Sequence, residues 1–163
     1  MNNTKIRFAT EDDVALIVEF IRGIAEYEKM LDEVIADEDL IREWVFRRNK
    51  AEVIFALEDG KEVGFALFFH NFSTFLGRAG IYLEDLFVKP EYRGRGHGKA
   101  LITELARITV ERGCGRLEWT CLDWNTPSIN FYLSLGARQM SEWTNYRLTG
   151  DSLNALAGKI LSE

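Results

Sequence analysis

Residues 80–113 read GIYLEDLFVKPEYRGRGHGKALITELARITVERG, and this stretch decides the fold. The apolar run through residue 88 has the length and composition of a buried strand, interrupted by two acids, Glu84 and Asp85. From residue 98 the period changes. Leu101, Leu105, Ile108 and Arg112 fall on one helical stripe, and Gly113 stands where a helix C-cap is expected. GRLEWTCLD, residues 115–123, is again strand-like. A strand, a helix and a second strand in this order predict a β-α-β unit, whose two strands run parallel in a buried part of the sheet.

Working outward, KIRFAT (5–10) alternates like a strand. Thr10 then precedes EDDVALIVEFIRGIAEYEK, with acids in the first turn and apolar residues at Val14, Ile17, Phe20, Ile21 and Ile24, the pattern of a helix start and a helical face. DEDLIREWVFRR reads as a second helix. AEVIFALED and EVGFALFFHN flank Gly60–Lys61 as a hairpin. TPSINFYLSLG is a short helix with Pro127 in its first turn and Gly136 at its end. ARQMSEWTNYRLTG (137–150) is expected to return as a strand, and DSLNALAGKILSE as a short helix. The expected order is β-α-α-β-β-β-α-β-α-β.

The composition suits one globular domain over residues 1–163: 47% of residues are apolar and 28% charged. No apolar run approaches the ~18 residues of a membrane span. The N-terminal stretch lacks the apolar core of a secretion signal, so a cytoplasmic location is expected. A formal charge of −6 argues against a nucleic-acid backbone as partner and favours a cationic one. Cys114 and Cys121 form no CxxC pair, and neither His70 nor His97 has a second histidine at ligand spacing, so no metal is expected.

The link between strand and helix carries the chemistry. Gly94, Gly96 and Gly98 alternate with Arg95 and His97 at a helix N-terminus, where unpaired N–H groups and the helix dipole attract anions. A tight turn alone would also use glycine. A Walker A loop is excluded by Arg93 and Ala100, and the dinucleotide GxGxxG by Lys99. The pattern that fits is Arg-x-x-Gly-x-Gly, at Arg93, Gly96 and Gly98. It resembles the coenzyme A pyrophosphate loop of the GNAT acetyltransferase superfamily. LDWNTPSINFYLSLGA (122–137) is similar to that superfamily's second signature, through Asn125, Tyr132, Gly136 and Ala137. YLEDLFV, EYRGRGHG and PSINFY resemble the branch of spermidine/spermine (diamine) and thialysine acetyltransferases.

The resemblance implies a single α/β GNAT-type domain with a mixed, twisted sheet, flanking helices and a central parallel pair splayed to admit acetyl-CoA. It implies an N-acetyltransferase acting on a small primary amine, and a homodimer. Alternation along the strand puts Glu84 and Asp85 on opposite faces, and a desolvated carboxylate there would be a stronger base. The resemblance makes Glu84 the general base, acting through water, and Tyr132 the general acid. Leu86, Phe87 and Val88 would pair with the pantetheine arm. Arg93, Gly94, Arg95, Gly96, His97, Gly98 and Lys99, with Asn125, Ser128 and Phe131, would hold the coenzyme. Glu28, Asp85 and Tyr146 would line the amine site. The run STFLGR, with Ser73 where the polyamine enzymes carry an acid, is more like the thialysine-type members, and Arg78 could there pair with an α-carboxylate. Two other functions are consistent with the same fold. One is a protein or peptide acetyltransferase, which needs an open groove. The other is a non-catalytic acyl-CoA sensor, which would not need Glu84 or Tyr132.

Overall fold

The computed structural model describes residues 3–160. They divide into two compact units, Met1–Thr120 and Cys121–Glu163. The first is built on a five-stranded sheet of β1 (Lys5–Phe8), β2 (Glu52–Glu58), β3 (Lys61–Ser73), β4 (Arg78–Val88) and β5 (Leu117–Trp119). The strands lie in sequence order, antiparallel except for the β4–β5 pair, which is parallel. The parallel pair is joined by α3 (His97–Glu111), so the β-α-β unit of the sequence is present.

Helix α1 (Val14–Tyr27) starts where the acids announce it. Thr10 and Asp13 form a capping box ahead of it, and the Thr10 N–H donates to the Asp13 carboxylate at 2.7 Å. Its buried face, Val14, Ile17, Phe20 and Ile24, packs on Val53, Phe55, Phe65 and Phe87 of the sheet. Phe20 stacks on Phe65 at 5.3 Å between ring centroids and meets Phe87 edge-on at 6.4 Å. Full burial of such a ring contributes roughly 1.5–3 kcal/mol. The alternate residues of β2 and β3, among them Ile54, Ala56 and Ala66, face the other side, where Leu101 of α3 approaches Gly64. The unit is therefore a sheet between two helical layers.

Two expectations about elements of the first unit need correction. The second helix is a single α turn, α2 (Glu38–Ile41), continued as a π-helical stretch over Arg42–Arg47. The hairpin turn falls one residue earlier than read, at Asp59–Gly60. Both residues have positive φ, and Glu58 pairs with Lys61. That matches the type I′ turns that fit strand twist.

The second unit holds α4 (Thr126–Ser134) and α5 (Gly150–Ile160). The strand expected over 137–150 does not form; residues 137–149 are irregular. Its larger apolar residues, Met140, Trp143, Tyr146 and Leu148, are spaced by three, three and two. Only the last pair keeps the period of two that gives a strand one apolar face, and all four side chains are exposed.

Candidate active site

In the first unit the candidate residues collect where β4 leaves β5. The β4–β5 pairing covers only Ile81–Leu117, Tyr82–Glu118 and Leu83–Trp119. From Glu84 to Val88, β4 runs on with β3 on one side and no ladder to β5 on the other. The expected splay is thus an early end to a three-residue parallel ladder.

A β-bulge sits at the fork. Leu83 opposes Phe68 and Asp85 opposes Leu67, which leaves Glu84 as the extra residue. Consecutive residues of β3 face opposite sides, so Leu83 and Asp85 do as well. Simple alternation would have put them on one face. Asp85 shares the α1 face with Phe65 and Phe87, while Glu84 is exposed, its direction set by the bulge instead of the pleat. Bulges are common beside active sites, where they re-aim a side chain and end a pairing.

Three carboxylates meet here. Asp85 is half-buried, and its pKa is pushed up from 3.8 to about 6, first by burial, then by the charges of Glu84 and Glu28. Burial also raises Glu28, just beyond the end of α1. Such a cluster favours a cation, whose charge would offset both the desolvation and the mutual repulsion. Arg78 does not belong to it. It begins β4, seven residues before Asp85, which separates them by about 20 Å along the strand. Ser73, buried at the end of β3, accepts a hydrogen bond from the Leu76 N–H and so shapes the β3–β4 turn.

Past β4, a 3-10 turn (Pro90–Tyr92) leads into the glycine loop. Gly94 and Gly96 take φ of +75° and +88°, a region side chains rarely enter. Gly98 has no such φ, and a Cβ there would meet only Val88, at 3.9 Å, an ordinary contact. Packing within the protein leaves that side of the loop open. The first N–H groups of the 15-residue α3 have no intrahelical acceptor and carry the positive end of the dipole. An open glycine face beside such donors fits a pyrophosphate. A shallow groove lined by Arg95, Gly96, Lys99, Ala100, Thr103 and Glu104 continues along α3.

Two arginines expected to hold the coenzyme have partners within the protein. Arg93 folds back: its Nε donates to the Val88 carbonyl at 2.9 Å, and its guanidinium lies over Tyr27 and Phe87 at 4.7 and 5.3 Å. The Val88 carbonyl is therefore already engaged. Arg95 is held by Glu58, a residue that sequence reasoning passed over. No local signal could have found it, because 37 positions separate Glu58 from Arg95 and only the hairpin register brings them together.

In the second unit, the Asn125 side chain caps α4 by accepting from the Ser128 N–H at 3.4 Å. Asn125 is 9% exposed. Phe131 and Tyr132 are half-buried neighbours with ring centroids 5.5 Å apart. Tyr146 is exposed, in the irregular segment. Among the described residues no group of three or more His, Cys, Asp or Glu side chains is arranged to hold a metal, and no helix is long and apolar enough to cross a membrane.

Comparison with known proteins agrees with this geometry. Residues 18–137 match the model of the acetyltransferase (GNAT) family. A thialysine N-epsilon-acetyltransferase of Sus scrofa is 38% identical over 98% of this chain and 100% of its own. An L-ornithine N5-acetyltransferase of Arabidopsis thaliana is 47% identical over 61% of this chain and 44% of its own. A solved integron cassette protein from the mobile metagenome of V. cholerae superposes with a TM-score of 0.77 at 31% identity, over 96% of this chain and 98% of that one. With a family match running from α1 through α4 and a relative aligned end to end, the chain belongs to the GNAT acetyltransferases and is an acyltransferase.

Proposed function

We propose that this protein transfers the acetyl group of acetyl-CoA to the primary amine of a small, cationic molecule, a diamine or a lysine-like amino acid. The observation that carries the reading is the fork in the sheet. A released edge of β4, an anion-ready glycine loop that follows it, and three carboxylates, Glu84 and Asp85 of β4 and Glu28 at the end of α1, all belong to one unit. Names among the relatives support a small amine: thialysine, ornithine, and the spermidine/spermine of a Homo sapiens relative 30% identical over 96% of this chain.

In this reading the loop N–H groups at 94–98 and the edge at Leu86–Phe87 hold the coenzyme, together with Asn125, Ser128 and Phe131. Bound acetyl-CoA supplies an activated thioester carbonyl. Glu28 and Asp85 draw in the ammonium group. An alkylammonium has a pKa near 10.4, so it must lose a proton to become a nucleophile. Glu84, exposed at the bulge, takes that proton through water. Tyr132 keeps a proton at its hydroxyl for the departing thiolate. Holding both substrates together removes the need for a covalent enzyme intermediate. Residues 1–163 then act as one transferase domain, which the resemblance pairs into a homodimer.

The distance of Arg78 from the acids bears on the choice of amine. The α-carboxylate of an amino acid whose ammonium group is held at Asp85 would not reach Arg78 of the same chain, so Arg78 gives no preference for an amino acid over a diamine. The test is thiol release from acetyl-CoA with spermidine, short diamines, thialysine, lysine and a lysine-containing peptide. Turnover on a diamine or on a lysine-like amino acid is expected. Turnover on the peptide alone would move the protein to the peptide acetyltransferases, and coenzyme binding without turnover on any of these amines would refute the small-amine reading.

A further inference from the structure

We propose that Glu58 is a positioning residue for the coenzyme loop, gripping both of its non-glycine side chains from one side. The proposal rests on the acetyl-CoA reading and concerns how the loop is held ready.

Glu58 ends β2, immediately before the Asp59–Gly60 turn. Arg95 Nη1 lies 3.0 and 2.9 Å from its two carboxylate oxygens. His97 Nε2 lies 3.3 Å from Oε2. His97 is 2% exposed, and its Nδ1 is 2.8 Å from the Thr4 hydroxyl. A neutral imidazole satisfies both contacts, with Nε2–H donating to Glu58 and Nδ1 accepting from Thr4. Arg95 is fixed further by the Glu91 carbonyl, at 3.3 Å from Nη2, and by the Tyr92 ring, at 5.2 Å.

The sequence of the loop alternates Gly94, Arg95, Gly96, His97, Gly98. Both side chains in it are tied to one carboxylate. The glycine positions carry no Cβ, and among the described residues no heavy atom beyond Gly94 and its two chain neighbours lies within 4 Å of where a Cβ would stand on Gly94. The loop is thus anchored through its side chains and bare along its backbone. A free loop with this much glycine would lose considerable conformational entropy on binding an anion. Anchoring it beforehand removes part of that cost, which is how preorganisation raises affinity. The same contact has a second consequence. Arg95 spends its charge on Glu58, so anion affinity falls chiefly to the loop N–H groups and the α3 dipole.

The test compares wild type, Glu58→Gln and Glu58→Asp. Coenzyme A binding is read by calorimetry, steady-state constants for both substrates by thiol release, and folding by thermal melting. Glu58→Gln is expected to weaken coenzyme A binding about tenfold, the scale of one lost charge-assisted hydrogen bond. KM for acetyl-CoA should rise by the same factor, with kcat and the amine KM within about twofold. Glu58→Asp should recover part of the loss. In an Arg95→Gln background, Glu58→Gln should weaken binding by less than it does in wild type, because only the contact to His97 is then left to lose. Unchanged or tighter coenzyme binding in Glu58→Gln overturns the proposal alone. So does a uniform loss in both substrates that follows the melting temperature, which is what a merely structural role would give. A wild type that binds no coenzyme A overturns the acetyl-CoA reading and this proposal with it.

Discussion

Replacing Asp85 with Asn removes a charge that the fold holds at a cost. Asp85 is half-buried, with Glu84 and Glu28 as its charged neighbours, and its pKa rises from 3.8 to about 6. A folded-state pKa above the unfolded one means that the native protein binds more protons between those two values, so stability falls as pH rises through them. The cost is absent well below pH 3.8 and complete above pH 6. A shift of about two units corresponds to about 3 kcal/mol at pH 7.5, and to only about 1 kcal/mol at pH 4.5. Solvent reaching the exposed part of the carboxylate screens some of this, which reduces the expected gain at pH 7.5 to about 1–2 kcal/mol. Asp85→Asn should therefore be more stable than wild type in urea melts at pH 7.5, by more than at pH 4.5. It should also lose affinity for the amine. Equal gains at both pH values would show that charge is not the cause. A loss of stability at pH 7.5 would refute the reasoning outright, because it would mean that the carboxylate makes net favourable contacts.

Two further substitutions separate the roles of the remaining groups. Tyr132→Phe should lower kcat by about a hundredfold or more, the range of a lost general acid, while calorimetric coenzyme A binding survives; undiminished turnover would remove Tyr132 from the chemistry. Glu28→Gln should raise the KM of the amine about five- to tenfold and leave that of acetyl-CoA unchanged, since the charge of Glu28, at the end of α1, acts on Asp85. A change in the acetyl-CoA constant instead would place Glu28 outside the amine site.

Legibility in the sequence followed the range of the interaction. Helix α1 was readable because its cap, its acids and its period of 3.6 all lie within about 18 residues, and the same holds for β4, the glycine loop and α3. What the sequence hid depends on register between distant strands. The bulge at Glu84 exists only because Leu67 and Phe68 oppose Asp85 and Leu83. The tie between Glu58 and Arg95 needs the β2–β3 turn to fall at Asp59–Gly60. The misread strand over 137–150 failed for the opposite reason. Its larger apolar residues have a spacing that gives no continuous apolar face for a sheet to bury, and they are exposed.

Arg93 shows how a correct motif can carry an incomplete role. As part of Arg-x-x-Gly-x-Gly it reads as an anion ligand, yet its Nε is bonded to the Val88 carbonyl and its guanidinium lies over Tyr27. Tyr27 is the last residue of α1, and Glu28 follows it directly. One side chain therefore joins three parts: the entrance to the glycine loop, the end of the β4 edge, and the helix end that carries an acid of the cluster around Asp85. A cation stacked on two rings and bonded to a backbone carbonyl is a rigid strut, because its planar group is fixed in both position and orientation. The motif arginine thus fixes the glycine loop relative to the acidic cluster, as the proposed function requires. The loop and the carboxylates must keep a set spacing if a thioester held by one is to meet an amine held by the other, since small misplacements of reacting atoms cost orders of magnitude in rate.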